Sequence, residues 1–365
     1  MTNREKFNAT LGFKNCTEDG GMTMETFYPW TLTVERFIEE GMPAELATDY
    51  LKGGSTLVGG NGATKYLGVA MTDTVVGIED YFGFDSVRRM FLNLPFDEFA
   101  EHGKRPPLVS AADWQNIKAQ ADANVEKYFT DENFKSMYGQ YAEGHKNGDY
   151  AIIMGIHGMF WSPRLLFGIE EHMYALYDEP EMMHDIISYI CDYYIKWLGK
   201  ILDYITPDIV YIMEDLSGAN GPMLSPAHFE EYVGDYYRKL IPTLKSRGVG
   251  QVFTDTDGDF ATLIPNFMAA GVDGFLPMDV NAGMDIVKVR RDFPTLKFIG
   301  AYNKLEIAEG KAAIDAEFER LLPVIRQGGY IPGADHQVAP STSLEDYRYY
   351  TQRLREIMKQ SGADL

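Results

Sequence analysis

The chain has 365 residues, of which 45% are apolar and 24% charged; that is ample material for a large core and excludes a mainly disordered chain. Its 33 Lys and Arg face 54 Asp and Glu, a net charge of -21, and a field of that sign repels phosphate backbones and anionic lipid surfaces, so neither nucleic acid nor a membrane is expected as partner. Two cysteines, Cys16 and Cys191, are too few for a disulfide framework or a cysteine-based zinc site and fit a reducing cytoplasm. No run approaches the roughly 18 apolar residues of a membrane-spanning helix. Met1 to Lys6 has no apolar run behind its charges and reads as no secretory signal.

Residues 1–145 read as irregular. Thr31–Glu40 predicts a short amphipathic helix stopped by Gly41 and Pro43. The glycine-rich stretch 53–62 lacks the Gly-Lys-Ser/Thr ending of a phosphate loop and reads as a loop or turn, with a mobile lid as the alternative. Lys104-Arg105-Pro106-Pro107 is a turn ahead of a helix over Ala111–Phe129 capped by Ser110 or Asp113.

From Tyr150 short β-rich runs alternate with helical patterns. The runs are Tyr150–Ile156, Asp208–Met213, Gly250–Thr254, Val272–Pro277, Lys297–Ala301 and Tyr330–Gly333. Helices are predicted over Pro180–Ile205, from the Ser225-Pro226 cap to Arg247, and over Phe260–Ala270, Ala312–Gln327 and Leu344–Lys359, the last opened by Ser343 and Asp346. Six strand–helix units with buried strands imply a parallel sheet covered by helices, and one or two further units can lie before residue 150. A (β/α)₈ TIM barrel with an irregular N-terminal extension fits best, as a single domain over 1–365, its regular part spanning 146–365; a doubly wound open sheet is the alternative.

In a parallel barrel the chemistry sits at the C-terminal strand ends. Those positions hold His157-Gly158-Met159-Phe160-Trp161, Glu214-Asp215, Asp255-Thr256-Asp257-Gly258-Asp259, Asp279, Asn303-Lys304 and Asp335-His336. Turns favour Asp and Asn on their own account. Polar groups after all six runs, with His and Lys among them, predict one charged pocket. Asp255 and Asp257 point to one side if the strand continues, whereas spacing does not choose between Glu214 and Asp215. His157 reads equally as a half-buried histidine, and Lys304 as a substrate anchor or an ion-pair partner. The expected catalytic set is Glu214, Asp255, Asp257 and His336. His157, Phe160, Trp161, Asn303, Lys304 and Asp335 are candidates for substrate binding, and Phe27 and Trp30 for the pocket wall. Glu214, Asp257 and His336 can hold a divalent ion such as Zn²⁺; without metal, crowded carboxyls raise one another's pKa and give a general acid.

Several segments resemble the uroporphyrinogen decarboxylase superfamily, which also contains corrinoid-dependent methyltransferases. They are Pro29-Trp30, Val34 to Pro43, Asp80 to Asp85, Glu214-Asp215-Leu216, Gly221 to Pro226, Thr254 to Gly258 and Gly328 to His336 with Pro340. The resemblance implies a (β/α)₈ barrel. The Arg-Gln-Ala-Gly-Arg segment by which the decarboxylases grip a tetrapyrrole is absent, and Met22 to Trp30 stands there instead. Where the thiol-activating methyltransferases carry His-x-Cys and a distant Cys, this chain has Asp255-x-Asp257 and Asp335-His336. A hairpin-like stretch common in the family is missing between Phe99 and Pro107. The resemblance therefore implies an O-demethylase-type enzyme that moves a methyl group from a small methoxylated donor, aromatic or not, to the Co(I) corrinoid of a corrinoid-binding partner protein. A decarboxylase of a small acidic substrate is the alternative. The oligomeric state is left open, a homo-oligomer included.

Overall fold

In the computed structural model, which describes residues 1–14, 20–53, 75–96 and 110–360, the β-rich runs form one sheet. Its strands are β1 (Val87–Leu92), β2 (Ala151–His157), β3 (Ile209–Met213), β4 (Gln251–Asp255), β5 (Gly274–Leu276), β6 (Lys297–Tyr302) and β7 (Tyr330–Ala334). They pair in that order, and each pairing is parallel. Six of the seven fall on the predicted runs. Helices over Ala111–Tyr128, Pro180–Ile201, Lys311–Gln327 and Leu344–Gln360 lie where the apolar spacing places them. The helix from Ser225 is interrupted: Pro226–Phe229 passes through a π-turn at Glu230–Gly234 before Asp235–Ser246. Among the described residues no helix is long and apolar enough to cross a membrane.

The described part of residues 1–145 is not irregular. It supplies helices at Asn3–Leu11 (α1), Thr31–Glu39 (α2), Val76–Phe82, Ala111–Tyr128 and Asp131–Tyr138, together with β1, where the sequence allows one or two further units before residue 150. The pair Arg88-Arg89 hides β1 in the sequence, because it breaks the apolar run. Arg88 leaves the sheet to lie over the Tyr150 ring, 4.7 Å from its centroid. Arg89 turns inward and is neutralised by Glu79 at 2.6 Å. The glycine-rich stretch from residue 54 onward, the 104–107 turn and the 99–107 region lie outside the described residues.

Two layers of core flank the sheet. The outer one packs strands against helices. The inner one, inside the curl of the sheet, holds Met22, Met24, Val87, Phe91, Ile153, Ile209, Tyr211, Phe253, Leu276, Ile299 and Ile331, mostly alternate residues of the strands, as a barrel interior requires. α1 contributes Phe7 and Leu11 to that interior. It is fastened at the N-terminal end of β3, where Asp208 accepts from Arg4, Asn8, His145 and the Ile152 amide at 2.8–2.9 Å. α1 thus plugs the end of the sheet opposite the predicted site.

Among the described residues the sheet has seven strands, one fewer than the predicted barrel. Between β7 and β1 runs a non-strand segment, residues 22–28. On the β1 side Asp85 N–H donates to Thr23 O (2.9 Å), and Arg89 donates to Glu25 O (2.5 Å). On the β7 side Ala334 N–H donates to the Glu25 carboxylate at 2.9 Å. Gly333 permits this approach, since a Cβ there would stand 3.0 Å from Met24 O.

Glu25 is fully buried. It also accepts from the Tyr347 hydroxyl at 2.9 Å, and burial pushes its carboxyl up to about 7. The folded protein therefore keeps this proton to about pH 7, whereas an unperturbed glutamate releases it near 4.5. Folding takes up a proton between those values, so this group's contribution to stability declines as pH rises through that window. Glu25→Gln is expected to flatten this part of the stability–pH profile and to raise the urea midpoint at pH 8 relative to wild type. Equal midpoints from pH 5 to pH 8 in both proteins would contradict it.

Candidate functional site

A cavity of about 270 Å³ opens among the strand ends. Its apolar wall is Met24, Ile153, Ile209, Met213, Leu276 and Ile299, and Phe27 and Tyr28 come from the closing segment. Asp215, Asp255, Asp257 and His336 supply its charge, with Arg89 deeper in.

Each charged group is placed by a strand end. Asp255 is the last residue of β4, paired in register with Met213 of β3, and is 5% exposed. Asp257 follows two residues later in a turn stabilised by Thr256, whose hydroxyl accepts from Leu216 N–H at 3.2 Å. Gly258 closes that turn at φ +80, and a Cβ there would lie 2.5 Å from the Ser217 carbonyl carbon, so only glycine fits. Asp215 adopts φ +42, a left-handed conformation that Asp tolerates better than most residues. Arg164 holds it there by donating to its carbonyl at 2.9 Å, with the guanidinium stacked 4.1 Å from the Trp161 ring centroid.

The carboxyls of Asp215, Asp255 and Asp257 offer oxygens all within 4.8 Å of one another. Such crowding opposes ionisation of the two more deeply buried members, Asp215 and Asp255. Burial first, then the charge of Asp257, pushes Asp215 up to about 6. Burial first, then Asp215 and Asp257, holds Asp255 well above the carboxylate range. His336 meets Asp257 through Nε2 at 2.9 Å. Burial alone would lower its pKa, but the hydrogen bond and charge of Asp257 outweigh that and hold the imidazolium above its ordinary range. The site therefore stores protons at neutral pH.

The structure brings Asp255, Asp257 and His336 together as expected and adds Asp215. It does not bring Glu214. That carboxylate is fully buried and turned away from the cavity, accepting from the amides of Met159 (2.9 Å), Phe160 (2.8 Å) and Trp161 (3.3 Å) and from the Tyr237 hydroxyl (2.7 Å). Gly158 makes room for it, since a Cβ there would sit 2.1 Å from the carboxylate. With its lone pairs spent on the turn after β2, Glu214 is a fastener of that turn, and the catalytic and metal roles expected of it are corrected here. Among the described residues two groups instead have ligand atoms close enough for one ion: Asp215 with Asp255 and Asp257, and Asp279 with Asp335 and His336. The first is an all-oxygen set, which suits a harder ion better than zinc.

The six residues expected to bind substrate, His157, Phe160, Trp161, Asn303, Lys304 and Asp335, are not among the cavity lining. Phe160 is core, packed 4.7 Å from His172. His157 stacks edge-on against Phe91 at 4.7 Å. Trp161 carries the Arg164 guanidinium. Asp335 is fully buried and ties three loops together, accepting from the amides of Val280 and Lys304 and from the Asn281 side chain at 3.2–3.3 Å. The Asn303 side-chain oxygen accepts from Asn281 and the Leu305 amide, both at 3.2 Å. Of the two proposed wall residues, Phe27 lines the cavity, 6.0 Å from the His336 ring, while Trp30 is 47% exposed at the start of α2. Sequence reasoning missed Arg89, Arg164 and Tyr211. The interior position of Tyr211, two residues before Met213 on β3, was the available signal for the last.

The model of the uroporphyrinogen decarboxylase family matches residues 103–357. Among solved structures, a methyltransferase from Methanosarcina mazei superposes with a TM-score of 0.57 at 13% identity, covering 98% of each chain. A protein of Listeria monocytogenes assigned as a vitamin-B12-independent methionine synthase matches with a TM-score of 0.39 at 11% identity over 95% of this chain and 98% of that one. No curated protein sequence matches.

Asp257→Asn removes the charge that raises both His336 and Asp215. The imidazole of His336 is then expected to titrate at lower pH, as read by its ring ¹⁵N shifts. A His336 titration unchanged by the substitution would show that the two groups do not interact as drawn.

Proposed function

Because the chain belongs to the uroporphyrinogen decarboxylase family, we propose that it is an enzyme of that family which transfers a methyl group from a small methoxylated donor to the Co(I) corrinoid of a partner protein, with the carboxyl cluster as proton source. The observation that carries this reading is the trio Asp215, Asp255 and Asp257, with oxygens within 4.8 Å and its negative charge shared with His336. The methyltransferase among the similar structures supports it. On this reading the corrinoid is carried by the partner protein and presented at the mouth. When docked, Co(I) supplies the electron pair that takes the methyl carbon.

The task left to this chain is the leaving group. As the carbon–oxygen bond breaks, the oxygen keeps the bonding pair. A phenolate is the conjugate base of an acid of pKa about 10, and an alkoxide leaves less readily still. A carboxyl that still holds its proton near neutral pH can pass it to that oxygen as the bond opens, an effect generally worth about 10²–10⁴ in rate. Asp255 holds such a proton, Asp215 holds one below about pH 6, and the Asp257–His336 pair is placed to resupply them. Product then leaves as a neutral alcohol or phenol. Deprotonation of Asp215 removes the acid, so the rate is expected to fall as pH rises through about 6 if Asp215 is the donor.

A second use of a divalent ion on Asp215, Asp255 and Asp257 would be to polarise the same oxygen. Decarboxylation, the other reading that the family offers, needs a cation for the substrate carboxylate. Arg89, the guanidinium lining the cavity, is already paired with Glu79.

Incubation with Co(I) corrinoid and methoxylated donors, followed by corrinoid absorbance, is the deciding assay. His336→Ala and Asp257→Ala are each expected to slow transfer about 100-fold or more with little change in melting temperature, whereas Glu214→Gln is expected to lower the melting temperature. Full transfer in both of the first two variants would contradict the assignment. Loss of turnover with chelator, restored by a divalent ion, would replace direct proton donation by metal activation, and release of CO₂ without corrinoid would favour the decarboxylase.

A further inference from the structure

Below the carboxyl cluster the cavity is lined mainly by aliphatic side chains, and one polar group there has a hydroxyl left over. Tyr211 lies on β3 two residues before Met213, hence one inward-facing layer deeper, about 6–7 Å along the strand at a rise of roughly 3.3 Å per residue. Its ring crosses the neighbouring strand at Gly155, its register partner on β2. A Cβ on Gly155 would lie 2.5 Å from the Tyr211 ring and 2.6 Å from its oxygen, so glycine is what lets the phenol extend there. Tyr211 lines the cavity, is 6% exposed, and its hydroxyl meets no hydrogen-bond partner among the described residues. Burial and the nearby Asp255 hold the phenol far above its ordinary pKa, so it remains a donor at every working pH. The hydroxyl opens on this mainly aliphatic cavity, where it can donate to a ligand atom in hydrogen-bond reach.

The charges nearby restrict what that atom can be. Arg89, the cation beside this floor, is engaged by Glu79 at 2.6 Å, by the Tyr28 hydroxyl at 3.0 Å and by Glu25 O at 2.5 Å. Above it stand three carboxyl groups. An anionic ligand would enter past those carboxyls and find no free cation among the described lining residues.

We propose that Tyr211 is a substrate-binding residue which selects, on the methyl-transfer reading on which this rests, an uncharged donor with a second oxygen at the end remote from the transferred methyl. The methyl group then sits at the mouth between the carboxyls and the incoming acceptor. The aliphatic wall holds the body, and Tyr211 donates to the far oxygen. A para-substituted ring carries its second oxygen opposite the methoxy group, so 4-methoxyphenol is the probe, anisole the control without the second oxygen, and 4-methoxybenzoate the anionic control.

Dissociation constants by calorimetry test the selection without turnover. Wild type is expected to bind 4-methoxyphenol about 5-fold or more tighter than anisole, as one hydrogen bond allows, and to bind 4-methoxybenzoate at least about 10-fold more weakly than 4-methoxyphenol, as the unmatched charge requires. Tyr211→Phe keeps the ring and its packing, which a melting curve checks, and should bring the 4-methoxyphenol to anisole ratio within twofold while leaving anisole affinity in place. An unchanged ratio in Tyr211→Phe, a ratio near one in wild type, or methoxybenzoate binding as tight as methoxyphenol would each overturn the proposal. Intact binding ratios without transfer of methyl to Co(I) corrinoid would overturn the methyl-transfer reading and leave the selection by Tyr211 standing.

Discussion

The sheet does not close on itself; residues 22–28 close it. Everything at the mouth depends on that strip of chain being gripped from both sides. Glu25 is the grip: its carbonyl takes the Arg89 guanidinium of β1, and its carboxyl takes the Ala334 amide of β7. Met24, Phe27 and Tyr28 of the same strip are cavity wall, so one anchor both completes the fold and shapes the site. The arrangement requires a buried ionisable group, and Arg89, Glu79, Tyr28 and Tyr347 are the polar company that makes its burial tolerable.

A second tension is built into the mouth. Carboxyls from two strand ends are crowded at the edge of an apolar cavity. Arg164 attends Asp215 and His336 attends Asp257, while Asp255 has no such companion among the described residues and carries the largest burden of burial and repulsion. Proteins place such frustrated groups where the missing compensation comes from a substrate, an ion or a transferred proton. Glu214 shows the opposite outcome one residue away: equally buried, it is saturated by three amides and a phenol and is structural.

Much of this was legible in the sequence, for identifiable reasons. Strands β2 to β7 declare themselves because their runs are apolar and bounded by turns, and the helices because their buried faces recur at three- and four-residue spacing. The gathering of Asp255, Asp257 and His336 follows from the rule that strand ends of one polarity share one face. What failed did so where long-range partners decide. β1 carries two arginines whose neutralisation depends on Glu79 and on the Tyr150 ring. The choice between Glu214 and Asp215 turns on a left-handed backbone at one residue and on which carboxyl meets the amides after β2; no periodicity encodes either. The closing strip has no strand pattern because it is not a strand, and Tyr211 looks like any core tyrosine until Gly155 is placed beside it.

α1 has one more consequence. Phe7 and Leu11 are seated in the far end of the sheet, and among the described residues the cavity's charged groups mark the opposite end as its doorway. On the methyl-transfer reading, a macromolecular acceptor covering that doorway also bars the way in and out, so the small molecule must already be inside when the two proteins meet, and its demethylated remnant must wait for them to part. The plug at the bottom of the fold thereby dictates the sequence of events at the top.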